Sequence, residues 1–254
     1  MMALGFALVA LVVLMVLLWP QTGIMARLRR ARVRSERIDV EDALKHLRKT
    51  ELHGREGTYE SIAGSLDISR DAAAGLANVM ERRGFIERHG ESFTLTSDGR
   101  STANHVIRAH RLWERHLADA TGFAADQWHQ LADLQEHELS PEDADRLAAE
   151  LGHPLEDPHG DPIPESGEEA QLAGGTSLTA LSVPAVARIV HIEDEPETVY
   201  AQLVAEGLAP GQHVHLVERT PERVTVWAEG EEHVLAPVVA ANLRDTRTGR
   251  RPAG

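Results

Sequence analysis

Histidines and carboxylates stand at helical spacing in the middle of this chain. His110 and Glu114 are four residues apart, so a helix would stack them on one face. Asp133, Glu136 and His137 stand at i, i+3 and i+4 on a second stretch, and His129 precedes Asp133 by four. Two such faces packed together would gather five or six oxygen and nitrogen donors in a small volume. The sequence has no cysteine, but it has 14 His and 40 Asp+Glu. That excludes disulfides, thiolate zinc sites, iron–sulfur clusters and cysteine catalysis. Mixed carboxylate and imidazole donors suit Mn2+ or Fe2+, although zinc would also bind. The plainer alternative is a solvated acidic helix pair with surface histidines. There is no nucleophile paired with a base, no phosphate loop and no HExxH helix, so an enzyme is not expected.

These residues need elements to carry them. Residues 102–120 pattern as a long amphipathic helix bearing His110 and Glu114, and residues 125–138 as a second helix bearing the rest. Upstream, residues 38–48 place Val40, Ala43, Leu44 and Leu47 on one face, and a short helix over 59–66 follows. Ser69 is a good N-cap for a helix over 70–83, and Gly84 a good stop. Residues 85–88 and 92–95 alternate around His89 and Gly90, which is a hairpin signal.

Helix, helix, turn, helix, hairpin is the order of a winged helix-turn-helix, whose third helix would enter a DNA major groove. The candidate DNA contacts are Ser69, Arg70, Ala72, Asn78, Arg82 and Arg88. The start of that helix reads SRDAAAG over 69–75. Its alanines offer apolar contacts, for example to a thymine methyl, rather than base-edge hydrogen bonds. The net charge of −14 is unevenly spread, +3 over residues 1–120 and −17 over 121–254. A polyanionic partner therefore suits only the first half.

The N-terminus reads as a membrane span. Residues 3–19 are apolar apart from Gly5, and five arginines follow at 27, 29, 30, 32 and 34. Seventeen helical residues reach roughly 26 Å, just short of the ~30 Å hydrocarbon core. No basic region precedes the run and no small-x-small cleavage site follows it, which disfavours a signal peptide. The expectation is a single-pass anchor in the cytoplasmic membrane with the body in the cytoplasm.

The order of parts resembles the DtxR/MntR family of metal-dependent repressors. The stretch IRAHRLWERHL over 107–117 is similar to the family's RxHRLxERxL helix. Glu136, His137 and Ser140 match its EHxxS motif, and DPIP over 161–164 resembles its NPIP stretch. The resemblance implies a primary metal site of Asp42, Asp133, Glu136 and His137, and an ancillary site of His110, Glu114 and His129. Lys45 stands where some members carry a second first-helix carboxylate, which argues against their binuclear manganese site. Residues 178–247 resemble a FeoA-type, SH3-like barrel, with LVAEGLAPG over 203–211 similar to the LxxxGLxPG turn. Such a domain could lend the ancillary site a ligand, Glu195 or Glu197, or serve only protein interaction.

The expected fold is therefore a multidomain α+β chain. It comprises a transmembrane helix (1–20), a basic segment (21–36), a winged helix-turn-helix (37–103) and a metal-binding and dimerisation domain (104–165). A flexible acidic linker (166–177), the SH3-like domain (178–247) and a tail (248–254) complete it. The resemblance implies a homodimeric, Mn2+- or Fe2+-dependent DNA-binding regulator of metal homeostasis, here tethered to the membrane. The alternative is a membrane-anchored metal-sensing subunit of an iron or manganese transporter without DNA binding.

Overall fold

The first helix, α1 (Ile24–Leu52), begins well before the apolar face read from sequence and carries the arginine-rich stretch as part of itself. This computed structural model describes residues 24–247, with side chains from 35 to 246. The chain divides at Arg100/Ser101 into two units.

In the first unit α1 is followed by β1 (Gly57–Thr58), α2 (Tyr59–Ser65) and α3 (Arg70–Arg82). Val40, Ala43, Leu44 and Leu47 of α1 are buried, as are Ile62 of α2 and Ala73, Leu76, Ala77 and Met80 of α3. These are the i, i+3, i+4 positions that a three-helix core requires. Local chemistry sets the helix starts. Thr58 and Ser61 cap α2 reciprocally, and the Ser69 hydroxyl accepts the Ala72 N–H at the head of α3. Strands β2 (Ile86–His89) and β3 (Ser92–Leu95) form the expected hairpin, and β1 joins it in the order β1-β3-β2. Phe93 meets Tyr59 edge to face at 4.7 Å, which fastens the hairpin to α2.

Helix α4 (Ser97–Ala120) leads into the second unit. There α5 (Trp128–Gln135) and α6 (Pro141–Glu150) follow, the latter opened by a Ser140–Asp143 capping box. Leu112 of α4 packs with Ala144 and Ala148 of α6 and with Ile163. The acidic stretch expected to be a flexible linker is pinned along α4. The side chain of Asn104 accepts the Ala170 N–H and donates to Glu169, and Ala170 and Ala173 are buried.

A six-stranded antiparallel sheet follows: β4 (Thr176–Ser177), β5 (Ala185–Ile192), β6 (His213–Arg219), β7 (Val224–Ala228), β8 (Glu231–Leu235) and β9 (Leu243–Arg247), in the order β4-β9-β5-β6-β7-β8. Helix α7 (Glu197–Ala205) supplies Tyr200 and Leu203 to its core, and α8 (Pro237–Ala240) supplies Val239 and Ala240.

The membrane-bound localisation is corrected. No helix among the described residues is long and apolar enough to cross a membrane. The apolar run 3–19 lies outside the described residues. The basic stretch that was read as flanking a span is part of the first helix of the first unit.

Leu44 is fully buried at the centre of the first unit's core. Leu44→Ala should destabilise it by about 3 kcal/mol through lost burial and a residual cavity, read as a lowered urea midpoint with unchanged slope. A change under about 0.5 kcal/mol would show that the site collapses or is not core.

Candidate metal centre

Helix α4 places His110 and Glu114 one above the other, and both are buried. Such a pair needs an inward-facing stretch of helix, which Val106, Ile107, Ala109 and Leu112 supply around it. His110 Nε2 lies 2.9 Å from Glu114 Oε1. Helix α5 brings His129, whose Nδ1 lies 3.2 Å from the same oxygen and 3.1 Å from His110 Nε2. Asp194, just past β5, completes the group with Oδ2 at 2.8 Å from His129 Nδ1. The donor atoms of these four buried residues all lie within 4.8 Å of one another.

Two facing imidazole nitrogens with two carboxylates between and beside them form a cage for a cation. Protons or a metal ion must balance it, because buried carboxylates are costly alone. Burial works against a charged His129, but its hydrogen bonds to Asp194 and Glu114 outweigh that and hold its pKa up at about 9. Burial also opposes the charge on His159, and Glu114 and Asp194 likewise hold it at about 9. Burial would raise the Glu114 carboxyl, yet the surrounding imidazoles of His110, His159 and His129 pull it well below the usual range. Asp157, buried and facing the charges of Glu114 and Asp161, is pushed the other way, well above it.

His110 touches a second group through its other nitrogen. Nδ1 lies 2.6 Å from Glu136 Oε2 and 3.2 Å from Asp133 Oδ1. A neutral imidazole has one lone pair. With the proton on Nδ1 donated to Glu136, the Nε2 lone pair faces Glu114, His129 and Asp194, which is how metal-ligating histidines are usually held. His137 lies beside Glu136, with Nε2 3.6 Å from Oε1, and both are buried, whereas Asp133 is half exposed. Asp42 is half-buried on α1 in the first unit. The donors are hard oxygens and imidazole nitrogens without sulfur, in a buried cluster, and they fit Fe2+ or Mn2+.

Sequence reasoning missed Asp194. It named Glu195 and Glu197, but Glu195 stands 3.7 Å from His129 Nε2 and Glu197 accepts hydrogen bonds from Gln130. No periodicity in the sequence marked it. Strand β5 shifts register between Ile189 and His191, and the shift resets its inward phase to Ile192. Two residues on, that phase reaches Asp194.

In the first unit, Ser69, Arg70, Ala72, Asn78, Arg82 and Arg88 are all exposed on or beside α3 and the wing. Two of the arginines are engaged within the unit. Arg70 donates to Glu60 and Glu91, at 2.6 Å each. Arg88 donates to Asn78 at 2.6 Å and Glu81 at 2.8 Å. None of these partners was read from sequence, since they lie seven to 21 residues away.

Residues 96–165 match the family model described as the iron dependent repressor, metal binding and dimerisation domain. The iron-dependent repressor IdeR of Mycobacterium tuberculosis is 34% identical over 191 residues, covering 69% of this chain and 82% of the relative. The diphtheria toxin repressor of Corynebacterium diphtheriae is 31% identical over 194 residues, covering 72% and 85%. Among solved structures, a manganese-dependent transcriptional repressor in complex with manganese shares the fold. Its TM-score is 0.72 at 22% identity, over 81% of this chain and all of that one.

The raised pKa of His129 has a sign. A protonated His129 stabilises the fold fully below its ordinary pKa of 6.5, and that contribution is lost as pH rises towards 9. Melting temperature without metal should therefore fall from pH 6.5 to 9. The gain from added Mn2+ should grow over the same window, with protons released on binding at pH 7. Mn2+ stabilisation that is flat with pH and releases no proton would count against His129 as a donor.

Proposed function

Since the chain belongs to the DtxR family of iron-dependent repressors, we propose that this metal-dependent transcriptional repressor takes Fe2+ or Mn2+ at the His110–Glu114–His129–Asp194 centre. The observation that carries the reading is the convergence of four buried donors from α4, α5 and the C-terminal sheet. We read that sheet as the FeoA-type, SH3-like module, here a ligand donor rather than an appended interaction domain.

A bound divalent ion would supply the positive charge that protons otherwise provide to this cluster. Glu114 and Asp194 would bring the negative charge, and His110 and His129 neutral nitrogens. Glu136 would hold the His110 tautomer. The family resemblance adds a primary set of Asp42 with Asp133, Glu136 and His137, which would couple α1 to the dimerisation helices. Ordering that set would fix the spacing of two recognition helices in a homodimer, a two-state equilibrium biased by the ion. Ser69, Arg70, Ala72, Asn78, Arg82 and Arg88 would face DNA, with alanines reading apolar edges and arginines reading phosphate. No turnover is expected of the protein. A transporter-subunit role is not favoured.

Fluorescence anisotropy with genomic promoter fragments at fixed salt tests the reading. Specific binding should appear with Mn2+ or Fe2+ and weaken at least tenfold in His129→Ala or His137→Ala. Binding indifferent to metal in the wild type would sink it.

The Arg70 clamp gives a second test. Arg70→Ala should lower the salt dependence of DNA binding by about one unit of log–log slope. Glu91→Gln, which removes one of the two carboxylates competing for the guanidinium and leaves Glu60, should tighten binding up to a few-fold. Unchanged slope in Arg70→Ala would remove that residue from the phosphate contacts.

A further inference from the structure

We propose that Tyr59 is a positioning residue for DNA: its ring holds the Arg70 and Arg88 guanidiniums together as one phosphate-binding pair where α3 meets the wing. This role rests on the repressor reading and adds to it a residue outside the DNA-contact set.

Tyr59 opens α2, Arg70 opens α3 and Arg88 stands in β2, so three separate elements meet at one ring. The guanidinium carbon of Arg70 lies 5.4 Å from the centre of the Tyr59 ring, and that of Arg88 lies 5.7 Å from it. Arg88 is also 6.0 Å from the ring centre of Phe93, the residue that Tyr59 meets edge to face. An aromatic face attracts a cation within about 6 Å of its centroid. Two like charges brought to one ring repel each other, and the negative face of the ring offsets part of that cost. Tyr59 itself is only 7% exposed, beneath arginine side chains that are 57% and 31% exposed. The cations therefore face solvent and the ring supports them from below.

The carboxylates beside the pair hold it in a different way. Glu60 and Glu91 take Arg70 through Nε and Nη2, and Glu81 takes Arg88 through Nη2. Those N–H donors are the ones a DNA phosphate needs, so glutamate and phosphate compete. Exposed ion pairs of this kind are weak and readily exchanged. The ring attracts the guanidinium charge and uses none of its N–H donors, so it does not compete with phosphate. An arginine released by glutamate would otherwise spread over many rotamers. Tyr59 keeps both near one place and lowers the entropy that binding costs. A packing role alone would be met by leucine; the attraction for two cations would not.

The test uses the full Mn2+-loaded chain and fluorescence anisotropy at fixed salt. Two probes are compared, the promoter fragment bound by the wild type and an unrelated duplex of equal length. Tyr59→Leu should weaken binding to both by about 3- to 10-fold, because phosphate contacts are blind to sequence. Tyr59→Phe, which keeps the ring, should lose less than about twofold. In an Arg70→Gln, Arg88→Gln background, Tyr59→Leu should have no further effect. Mn2+ affinity by calorimetry should stay at the wild-type value throughout. Wild-type binding in Tyr59→Leu, a full loss in Tyr59→Phe, or a loss confined to the promoter fragment would each overturn the positioning role. So would a loss that persists without the two arginines, which would show that Tyr59 only packs the wing, or one that follows lowered Mn2+ affinity. If the wild type binds neither probe with metal, the repressor reading fails and the positioning role with it.

Discussion

One buried carboxylate organises the second unit. Glu114 is only 1% exposed in the middle of a helix, where an unpaired negative charge would be prohibitive. Imidazoles from three separate segments answer it: His110 of its own helix at 2.9 Å, His129 of α5 at 3.2 Å and His159 of the loop after α6 at 3.4 Å. Arg111, on the adjacent position of α4, ties the same loop by donating to the Pro162 carbonyl at 2.6 Å and pairing with Asp161 at 3.1 Å. The helical part and the sheet are thus joined by polar contacts around a charge. The apolar cores on either side, one around Leu112 and the other inside the sheet, remain separate clusters. An arrangement held by charge answers to whatever cation balances that charge, as an ion-sensing protein requires.

What could be read ahead of the coordinates follows the range of the forces involved. The His110–Glu114 pair and the Glu136–His137 pair are local, and helical periodicity exposes them directly. The cap at Ser69 and the hairpin around Gly90 are equally local, and the winged unit follows from them. Asp194 was hidden because a register shift in β5 changes which residues face inward, and no count of alternating residues foresees a bulge. His159 was hidden because a lone histidine in a proline- and glycine-rich loop has no periodicity to betray it. The acidic stretch after the DPIP motif looked free on composition, but Asn104 and buried alanines hold it down, contacts 66 residues apart in sequence. The N-terminal reading failed differently: it rested on composition alone, whereas no helix among the described residues is long and apolar enough to cross a membrane and the basic stretch lies within α1.

The paired arginines of the winged unit have a consequence for how an operator would be found. Arg70 and Arg88 are already occupied by glutamates of the same face, and the chain as a whole carries −14. Long-range attraction to a polyanion is correspondingly weak, so little of the protein would dwell on arbitrary stretches of chromosome. Sliding along DNA, which depends on that loose residence, would be short, and capture would rest on three-dimensional encounters at which phosphate displaces glutamate. Such a repressor would trade speed of search for a larger free pool, and its occupancy would track changes in ion level with little delay from molecules parked elsewhere on the genome.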